Sequence, residues 1–274
     1  MTEMLKQKTE RLDKILSNGG FGSRKDVKKL LHSLRVTVNG TAATNPSMHV
    51  CPDSDVICVD GKPVELNRHV YLMLNKCKNV VSANKDGEHQ TVFDLLPDEY
   101  RAGKVFQELH TVGRLDIDTE GLLLLTTDGA LTHVLISPKS HISKTYLVFL
   151  ENPETSGAKE EICRKFEAGI HIPAEDNDGE ADCKGAELTF ISSELAEKLA
   201  GPGAELPQLW QNGDFCLLVI YEGRYHQVKR MFRAVGNKVV YLKRIAMGRL
   251  ELDSSLLPGQ MRPLSSSEIE ILKF

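Results

Sequence analysis

The stretch GRLDIDTEGLLLLTTDG, residues 113–129, combines a short polar segment with a run of four leucines. Its centre, Asp-Thr-Glu-Gly, favours a turn, because Asp and Thr side chains bond to nearby main chain and glycine readily adopts positive φ. Apolar residues lie on both sides of this turn, as in strands that are buried in a sheet. The stretch therefore predicts a strand, a turn and a second strand within residues 113–127.

Two carboxylates in this stretch, Asp116 and Asp118, are separated by one residue. In an extended chain they point to the same side together with Arg114, while Leu115 and Ile117 face the core. Two acids beside an arginine fit an acid–base pair, a metal site or a structural turn. Spacing alone favours the structural turn.

The segments around this stretch predict short elements without a regular β-α-β alternation. Strands are predicted at 71–74, 145–150, 215–221 and 239–242, and helices at 130–137, 160–168, 224–235 and after Ser265. Residues 173–185 and 200–213 are predicted to be surface loops, the first of them acidic. This order favours an α+β domain over residues 70–274, built on a largely antiparallel mixed sheet flanked by helices.

The N-terminal residues 9–66 predict a separate small unit of two helices and two hairpins, followed by a linker at 67–69. Ser23 and Asp26 form a capping signal for the second helix. Asn39-Gly40 and Asp60-Gly61 are hairpin turn signals. The polar helix faces carry six cations: Arg11, Lys14, Arg24, Lys25, Lys28 and Lys29. A lysine run alone is typical of a solvated helix face.

Composition excludes several classes of protein. The 274 residues are 41% hydrophobic and 26% charged, as in an ordinary globular protein. A polar N-terminus and the lack of an 18-residue apolar run predict a cytoplasmic protein without signal peptide or membrane span. None of the six cysteines is spaced as Cys-x-x-Cys, so reduced thiols are expected rather than a zinc site or disulfides.

Charge is segregated along the chain. The net charge of −4 alone argues against a nucleic-acid partner. Residues 1–35, however, hold nine Lys/Arg against four acids, and residues 224–249 hold eight Lys/Arg and no acid. Residues 173–187 hold six acids and one lysine, and these acids are not expected to lie against RNA. Two local basic regions therefore remain able to contact phosphates.

The stretch at 113–129 closely resembles the signature of the RsuA-type pseudouridine synthases. Three further stretches resemble that family in the same order, namely Tyr71–Lys76 as the first core strand, Lys144–Val148, and EGRYHQVKRMFRAVGN at 222–237. The unit at 9–66 resembles the S4 RNA-binding domain. These resemblances imply a catalytic domain at 70–274 and an N-terminal domain that grips the RNA backbone.

The resemblance implies that Asp116 is the essential carboxylate and that no cofactor or metal takes part. Isomerisation moves the uracil from N1 to C5 without net oxidation, so one carboxylate suffices.

Tyr146 is expected beneath the flipped-out uracil. Lys229, where related synthases often have arginine, or Arg230 is expected to pair with Asp116, while Asp118 is left structural. Contacts with RNA are implied for Arg114, Arg224, His226, Gln227, Arg230, Arg11, Lys14, Arg24, Lys25 and Lys28. Cys77 stands where the family usually has proline, outside this set.

The motif EGRYHQVKRMF at 222–232 is nearest to the small-subunit enzyme that modifies uridine 516 of 16S rRNA, although close relatives act on 23S rRNA. The expected substrate is folded rRNA or an assembling small-subunit particle, and the expected state is a monomer. One rival function is a non-catalytic rRNA-binding assembly protein. Another is a glycosidase using Asp116 and Asp118. It is disfavoured because glycosidase carboxyls face each other across a sugar, roughly 5–9 Å apart.

Overall fold

The structure is a computed structural model that describes residues 9–18, 21–52, 54–64, 69–176, 178–204 and 213–272. The chain divides into two compact units, residues 1–69 and 70–274. Most of the predicted linker at 67–69 and residues 205–212 of the second predicted loop lie outside the described residues.

The N-terminal unit consists of short strands and two helices around one small core. Its elements are β1 (Glu10–Arg11), α1 (Leu12–Asn18), α2 (Arg24–His32), β2 (Val36–Val38), β3 (Thr41–Ala42), β4 (His49–Val50), β5 (Ile57–Val59) and β6 (Lys62–Pro63). Strands β3-β2-β5-β6 form an antiparallel sheet, and β1 pairs with β4. Apolar residues of both helices and this sheet, including Leu16, Leu31 and Val36, form the core.

Local signals set the boundaries of these elements. Ser23 caps α2 in a complete capping box with Asp26, as predicted. Asn39 and Gly40 both have positive φ, of 51° and 79°, and so do Asp60 and Gly61, at 52° and 75°. Two central residues with positive φ match the right-handed twist of hairpin strands. Both predicted hairpins are therefore confirmed.

The second unit is organised around one large sheet. The strands of this unit are β7 (Tyr71–Lys76), β8 (Val80–Val81), β9 (Gln90–Thr91), β10 (His110–Thr111), β11 (Glu120–Thr126), β12 (Lys144–Leu150), β13 (His171–Ile172), β14 (Ala181–Asp182), β15 (Glu187–Ile191), β16 (Asp214–Ile220), β17 (Val239–Met247), β18 (Leu250–Glu251) and β19 (Met261–Pro263). All of them except β8, β9, β13 and β14 belong to the large sheet. The strand order is β15-β16-β12-β17-β11-β7-β19, with β10 beside β11 and β18 beside β17. Within this sheet only the described pair β11–β17 is parallel, so the predicted α+β class with a largely antiparallel sheet is confirmed.

Helices cover the sheet on both faces. They are α3 (Gly103–Glu108), α4 (Gly129–Ile136), α5 (Ser156–Ala168), α6 (Ser193–Ala200), α7 (Gln227–Ala234) and α8 (Ser266–Leu272), with a 3₁₀ turn at Asp98–Tyr100. In β11 the leucines alternate between two cores: Leu123 and Leu125 join one, Leu122 and Leu124 the other. The four-leucine run is thus a central strand that is buried on both faces.

Gly121 is required where β11 meets β17. Its φ is +100°, and a Cβ at this position would lie 2.2 Å from the main-chain oxygen of Arg244. Neither the conformation nor the contact leaves room for a side chain. The glycine of Asp-Thr-Glu-Gly therefore permits the close approach of β11 to β17 at the edge of the pocket described below.

Two predictions about elements need correction. Residues 113–119 form a turn rather than a strand, and the strand that precedes β11 is β10, which pairs His110 with Thr126. The acidic segment 173–185 is partly a β hairpin formed by β13 and β14. Across the described residues, no helix is both long and apolar enough to span a membrane.

Candidate active site

A pocket of about 180 Å³ opens on the sheet between the 113–119 turn and the start of α7. Its floor comes from the adjacent strands β12 and β17, which contribute Lys144, Tyr146 and Arg244. Its edge comes from Arg114, Asp116 and the residues that lead into α7. The longest sequence motif and the basic helix motif are thereby brought together at one site.

Lys76, at the end of β7, anchors the main chain of the turn that carries Asp116. This lysine is fully buried, and its Nζ donates to the carbonyls of Asp116 at 3.0 Å, Ile117 at 3.3 Å and Thr119 at 2.9 Å. Burial lowers the pKa of Lys76 to about 8. One ammonium group thus binds the main chain on both sides of Asp118.

Two further contacts fix the same turn. Thr119 N donates to Asp116 O at 3.1 Å, which closes the turn itself. Ser82 Oγ donates to Leu115 O and accepts from Leu115 N, at 2.8 and 3.1 Å. Leu115 is buried as predicted, whereas Ile117 is only partly buried. Asp116 is therefore presented by a turn whose main chain is anchored at several points.

The carboxylate of Asp116 is 30% exposed and has two basic neighbours. Lys229 Nζ lies 3.3 Å from Asp116 Oδ2, and His226 Nε2 lies 3.8 Å from the same oxygen. Lys229 also contacts Asp118 Oδ1 at 2.6 Å, and Asp118 is 61% exposed. Of the two candidate partners for Asp116, the structure places Lys229 beside it. A cation at this distance stabilises a charged carboxylate.

His226 is oriented by the chain that leads into α7. Its backbone is left-handed, with φ 47°, and its ring stacks on Tyr225 with centroids 3.8 Å apart. The buried Gln227 accepts from Arg224 N at 2.9 Å and donates to Glu222 at 2.8 Å. These bonds shape the turn before the helix. Gln227 lines the pocket, although its side-chain amide is committed to this turn.

Arg230 requires a correction, because it was predicted to contact RNA or Asp116. Its side chain is fully buried on the other side of α7. Its guanidinium donates to Pro173 O, Gly179 O and Tyr225 O and pairs with Asp178. Helical periodicity explains the outcome, since adjacent residues point about 100° apart and only one of Lys229 and Arg230 can face the pocket.

The acidic segment lies against α7 instead of projecting freely into solvent. Glu175 Oε1 is 3.5 Å from His226 Nδ1 and 3.2 Å from Arg233 Nη2. Asp176 accepts a hydrogen bond of 2.9 Å from the hydroxyl of Tyr225. Charges that the sequence analysis assigned to a surface loop are thus partly neutralised by the basic segment of the same chain.

Tyr146 forms part of the pocket floor, with 8% of its surface exposed. Two cations lie beside it that sequence reasoning did not select, Lys144 and Arg244. Lys76 was likewise quoted only as part of a strand. The sequence does contain a signal for these three residues, namely a lysine or arginine inside a strand that is mostly apolar. Such a charge is rarely buried without a specific partner, so its presence indicates a structural or functional role.

The other cations that were predicted to contact RNA differ in their exposure and in their pairing with acids. Arg114 is exposed at the pocket edge, and Arg224 is exposed 3.6 Å from Glu222. In the N-terminal unit, Arg24, Lys25 and Lys28 are exposed along α2. Two cations near α1 pair within their own unit: Arg11 with Asp13 at 2.7 Å and Lys14 with Glu10 at 2.5 Å. Over the described part of the chain, no cluster of three potential metal-ligating side chains occurs.

Comparison with known proteins places this geometry in a family. Residues 70–234 match the RNA pseudouridylate synthase family, and residues 10–57 match the S4 domain. A solved structure described as a pseudouridylate synthase superposes with a TM-score of 0.58 at 33% identity, covering 96% of this chain and 99% of the other.

Curated relatives extend the similarity over nearly the full length. An uncharacterized RNA pseudouridine synthase of Bacillus subtilis (strain 168) is 42% identical over 96% of this chain and 98% of the relative. Ribosomal small subunit pseudouridine synthase A of Escherichia coli (strain K12) is 38% identical over 94% of this chain and 98% of the relative. The chain therefore belongs to the RNA pseudouridylate synthase family and is a pseudouridine synthase, an isomerase, with an N-terminal S4 domain.

Proposed function

We propose that this chain isomerises uridine 516 of 16S rRNA to pseudouridine, with Asp116 as the reacting carboxylate and Lys229 as its partner. The observation that carries the proposal is the position of Asp116 at the mouth of a base-sized pocket, with Lys229 Nζ at 3.3 Å and Tyr146 on the pocket floor. A carboxylate, a cation and an aromatic ring beside one pocket suit a nucleotide that has been flipped out of its helix.

The reaction balances with the groups of this site alone. The N1–C1′ bond of uridine breaks with its electron pair on N1, the ring turns, and C5 bonds to C1′. C5 then loses its proton, and N1 ends protonated, so product and substrate have the same composition. Asp116 can take part in these steps in three ways: it attacks the ribose, adds to the base or removes a ribose proton. Each route starts from an ionised carboxylate. Lys229 stabilises that charge.

Tyr146 has two functions in this scheme. Its ring supports the uracil by stacking, as aromatic side chains do for unstacked bases. Its phenol relays the proton that C5 loses after the new bond has formed. Arg114, exposed at the pocket edge, is placed to hold the flipped nucleotide or its phosphate.

Ribosomal RNA of the small subunit is the substrate that the relatives support best. Several relatives with 36–39% identity over about 95% of this chain carry the name ribosomal small subunit pseudouridine synthase A. The S4 domain adds an RNA grip through the exposed cations of α2. We place the protein in the cytoplasm as a monomer that acts on folded 16S rRNA or on an assembling small-subunit particle.

The test is to incubate the protein with unmodified 16S rRNA, free and in small-subunit particles, and to map pseudouridine. One new site at uridine 516 is expected with the wild type and none with Asp116→Asn, which still binds RNA. Asp118→Asn is the matched control, and it keeps the new site. Modification of 23S rRNA alone would assign another substrate, and binding without isomerisation by the wild type would remove the enzymatic function.

The role of the S4 domain is tested through the salt dependence of RNA binding. Replacing Arg24, Lys25 and Lys28 by Gln removes three exposed charges of α2. The logarithm of the binding constant falls as the logarithm of the salt concentration rises. Each lost phosphate contact makes this negative slope shallower by roughly 0.7 to 0.9. A matched triple variant of exposed lysines in the second unit, at Lys85, Lys165 and Lys198, keeps the wild-type slope. Equal slopes for both triple variants would contradict the proposed grip.

A further inference from the structure

The pocket floor holds two cationic side chains that the scheme above does not use. Arg244 of β17 is the register partner of Tyr146 in β12, and Lys144 precedes Tyr146 by two residues on the same strand. All three side chains line the pocket. Arg244 is 3% exposed and Lys144 is 7% exposed, so both cations lie below the surface, next to the ring on which a uracil would rest.

These two cations have few partners within the protein. Arg244 Nε donates to Leu122 O at 2.8 Å, while its buried Nη2 has no hydrogen-bond partner among the described residues. Lys144 Nζ donates to Ile142 O at 2.8 Å, which occupies one of its three donors. Among the described residues, neither side chain forms an ion pair with a carboxylate. Buried charges are normally paired, and a donor left without an acceptor is costly.

The electrostatics of Lys144 agree with this geometry. Its pKa is lowered to about 8 by burial and by the nearby charge of Arg244. A carboxylate partner within the protein would act in the opposite direction. The floor of the pocket therefore carries positive charge that the described part of the chain does not neutralise, and a ligand that fills the pocket would contact it.

Pocket size and lining identify the chemistry of that ligand. A cavity of about 180 Å³ is smaller than the roughly 300 Å³ at which drug-sized sites begin, and it suits one small ring. Its walls include the apolar side chains of Val228, Leu242 and Met247. A flat ring with apolar faces and oxygens at its edge uses both the walls and the cations, whereas a phosphate group uses only the cations.

We propose that Arg244 and Lys144 bind the carbonyl oxygens of the flipped uracil and stabilise the negative charge that the ring acquires when its glycosidic bond breaks. The inference rests on the pocket beside Asp116 being the uridine site, as proposed above. When the N1–C1′ bond breaks, its electron pair passes to N1 and is delocalised onto O2 and O4. The charge returns to neutral when C5 bonds to C1′ and the C5 proton is transferred. Donors placed in advance at such oxygens strengthen as the charge develops.

The first test changes the substrate and leaves the protein intact. RNA that carries 2-thiouridine or 4-thiouridine at the target position replaces one carbonyl oxygen by sulfur, a weaker hydrogen-bond acceptor. Single-turnover rates are measured with the wild type and with Arg244→Met. At least one sulfur substitution is expected to slow the wild type, and the same substitution is expected to have little further effect in the variant. Equal slowing of both proteins by both sulfur substrates would overturn the proposal.

The second test separates turnover from RNA affinity. Arg244→Met and Lys144→Met are expected to lower the single-turnover rate, on the order of a hundredfold for Arg244, with RNA affinity unchanged. Arg244→Lys keeps a charge and recovers part of the rate. Thermal unfolding checks that each variant is folded. If Arg244→Met does not fold, the test is the rate of the wild type on the two thiouridine substrates, and equal rates on both of these and on uridine would overturn the proposal. A folded Arg244→Met with the wild-type rate would overturn the proposal.

A phosphate ligand is the outcome that contradicts a uracil ligand. In that case Arg244→Met loses RNA affinity, and a methylphosphonate at the target nucleotide, not a thiouridine, removes the difference between wild type and variant. Failure of the proposed function is recognised separately through Asp116→Asn. If that variant keeps activity, the pocket is not the reaction site. If it is inactive while Arg244→Met is fully active, only the present inference fails.

Discussion

The ammonium group of Lys76 donates a 3.0 Å hydrogen bond to the main-chain carbonyl of Asp116. Lys76 is fully buried and also binds the carbonyls of Ile117 and Thr119, so one side chain holds three main-chain groups of the turn. Because several main-chain carbonyls share this one donor group, its loss affects both the stability of the fold and the geometry of the site.

Lys76→Met is expected to lower the free energy of unfolding by about 3 kcal/mol, because methionine leaves these carbonyls without a donor. The rate of pseudouridine formation is expected to fall as well, since the turn no longer holds Asp116 in place. Chemical denaturation and single-turnover assays measure the two effects. Lys85→Met is the control, because Lys85 is an exposed lysine of the same unit. Wild-type activity in folded Lys76→Met would show that the turn keeps its geometry without this lysine.

Lys229 is expected to act through its charge rather than through a specific fork of hydrogen bonds. It contacts Asp116 at 3.3 Å with a single ammonium group. Lys229→Met is therefore expected to reduce the rate at least a hundredfold, on the order found when one electrostatic donor is removed from a site. Lys229→Arg retains the charge and most of the rate. The comparison is made in single-turnover assays, and equal rates for the two variants would show that the charge is unimportant.

Arg230 is expected to matter for stability and for the acidic segment. It is fully buried and joins α7 to residues 173–179 through several hydrogen bonds and Asp178. Arg230→Met is expected to cost about 1.5–3 kcal/mol in unfolding free energy, since it removes the charge-assisted hydrogen bonds of a buried guanidinium. Arg233→Met is the matched control, because Arg233 contacts the same acidic segment at Glu175 but is itself 56% exposed. Similar losses in both variants would contradict the structural role of Arg230.

Acid stability is expected to depend on Arg262. Hydrogen bonds from Ser255, together with the Arg262 guanidinium, lower the pKa of Asp253 to about 2. The Arg262 guanidinium, together with hydrogen bonds from Ser265, lowers the pKa of Glu268 to about 2. Both pKa values lie below those of an unfolded chain, near 4, so the pairs stabilise the fold above pH ~4 and lose that contribution as pH falls towards 2.

The expected contribution of these pairs is about 2 kcal/mol, discounted because the carboxyls are partly solvated. Arg262→Met is expected to flatten the fall in unfolding free energy between pH 5 and pH 2 relative to the wild type. Denaturant titrations at a series of pH values measure this slope. Lys238→Met provides a control, since Lys238 pairs with Glu151 on an exposed surface. An unchanged slope for Arg262→Met would contradict the assignment.

Local features of the chain could be predicted wherever short-range chemistry decides them. Ser23 and Asp26 predicted the start of α2, and Asn39-Gly40 predicted a hairpin, because capping and positive φ depend on neighbouring residues. The segment before β11 was predicted incorrectly as a strand. Its main-chain groups are bonded by Lys76 and Ser82, which lie far away in the sequence.

By itself, the sequence determined the family and the α+β class and predicted Asp116 as the central acid, since these inferences depend on long motifs and on local periodicity. Only the tertiary structure decided which basic residues meet Asp116. The order of strands in the sheet places Arg244 beside Tyr146, and the rotation of α7 turns Lys229 towards the pocket and Arg230 into the interior. Strand register and helix rotation decide which of these side chains reaches the pocket. Both depend on how segments that are distant in the sequence pack together, so no local sequence pattern predicts them.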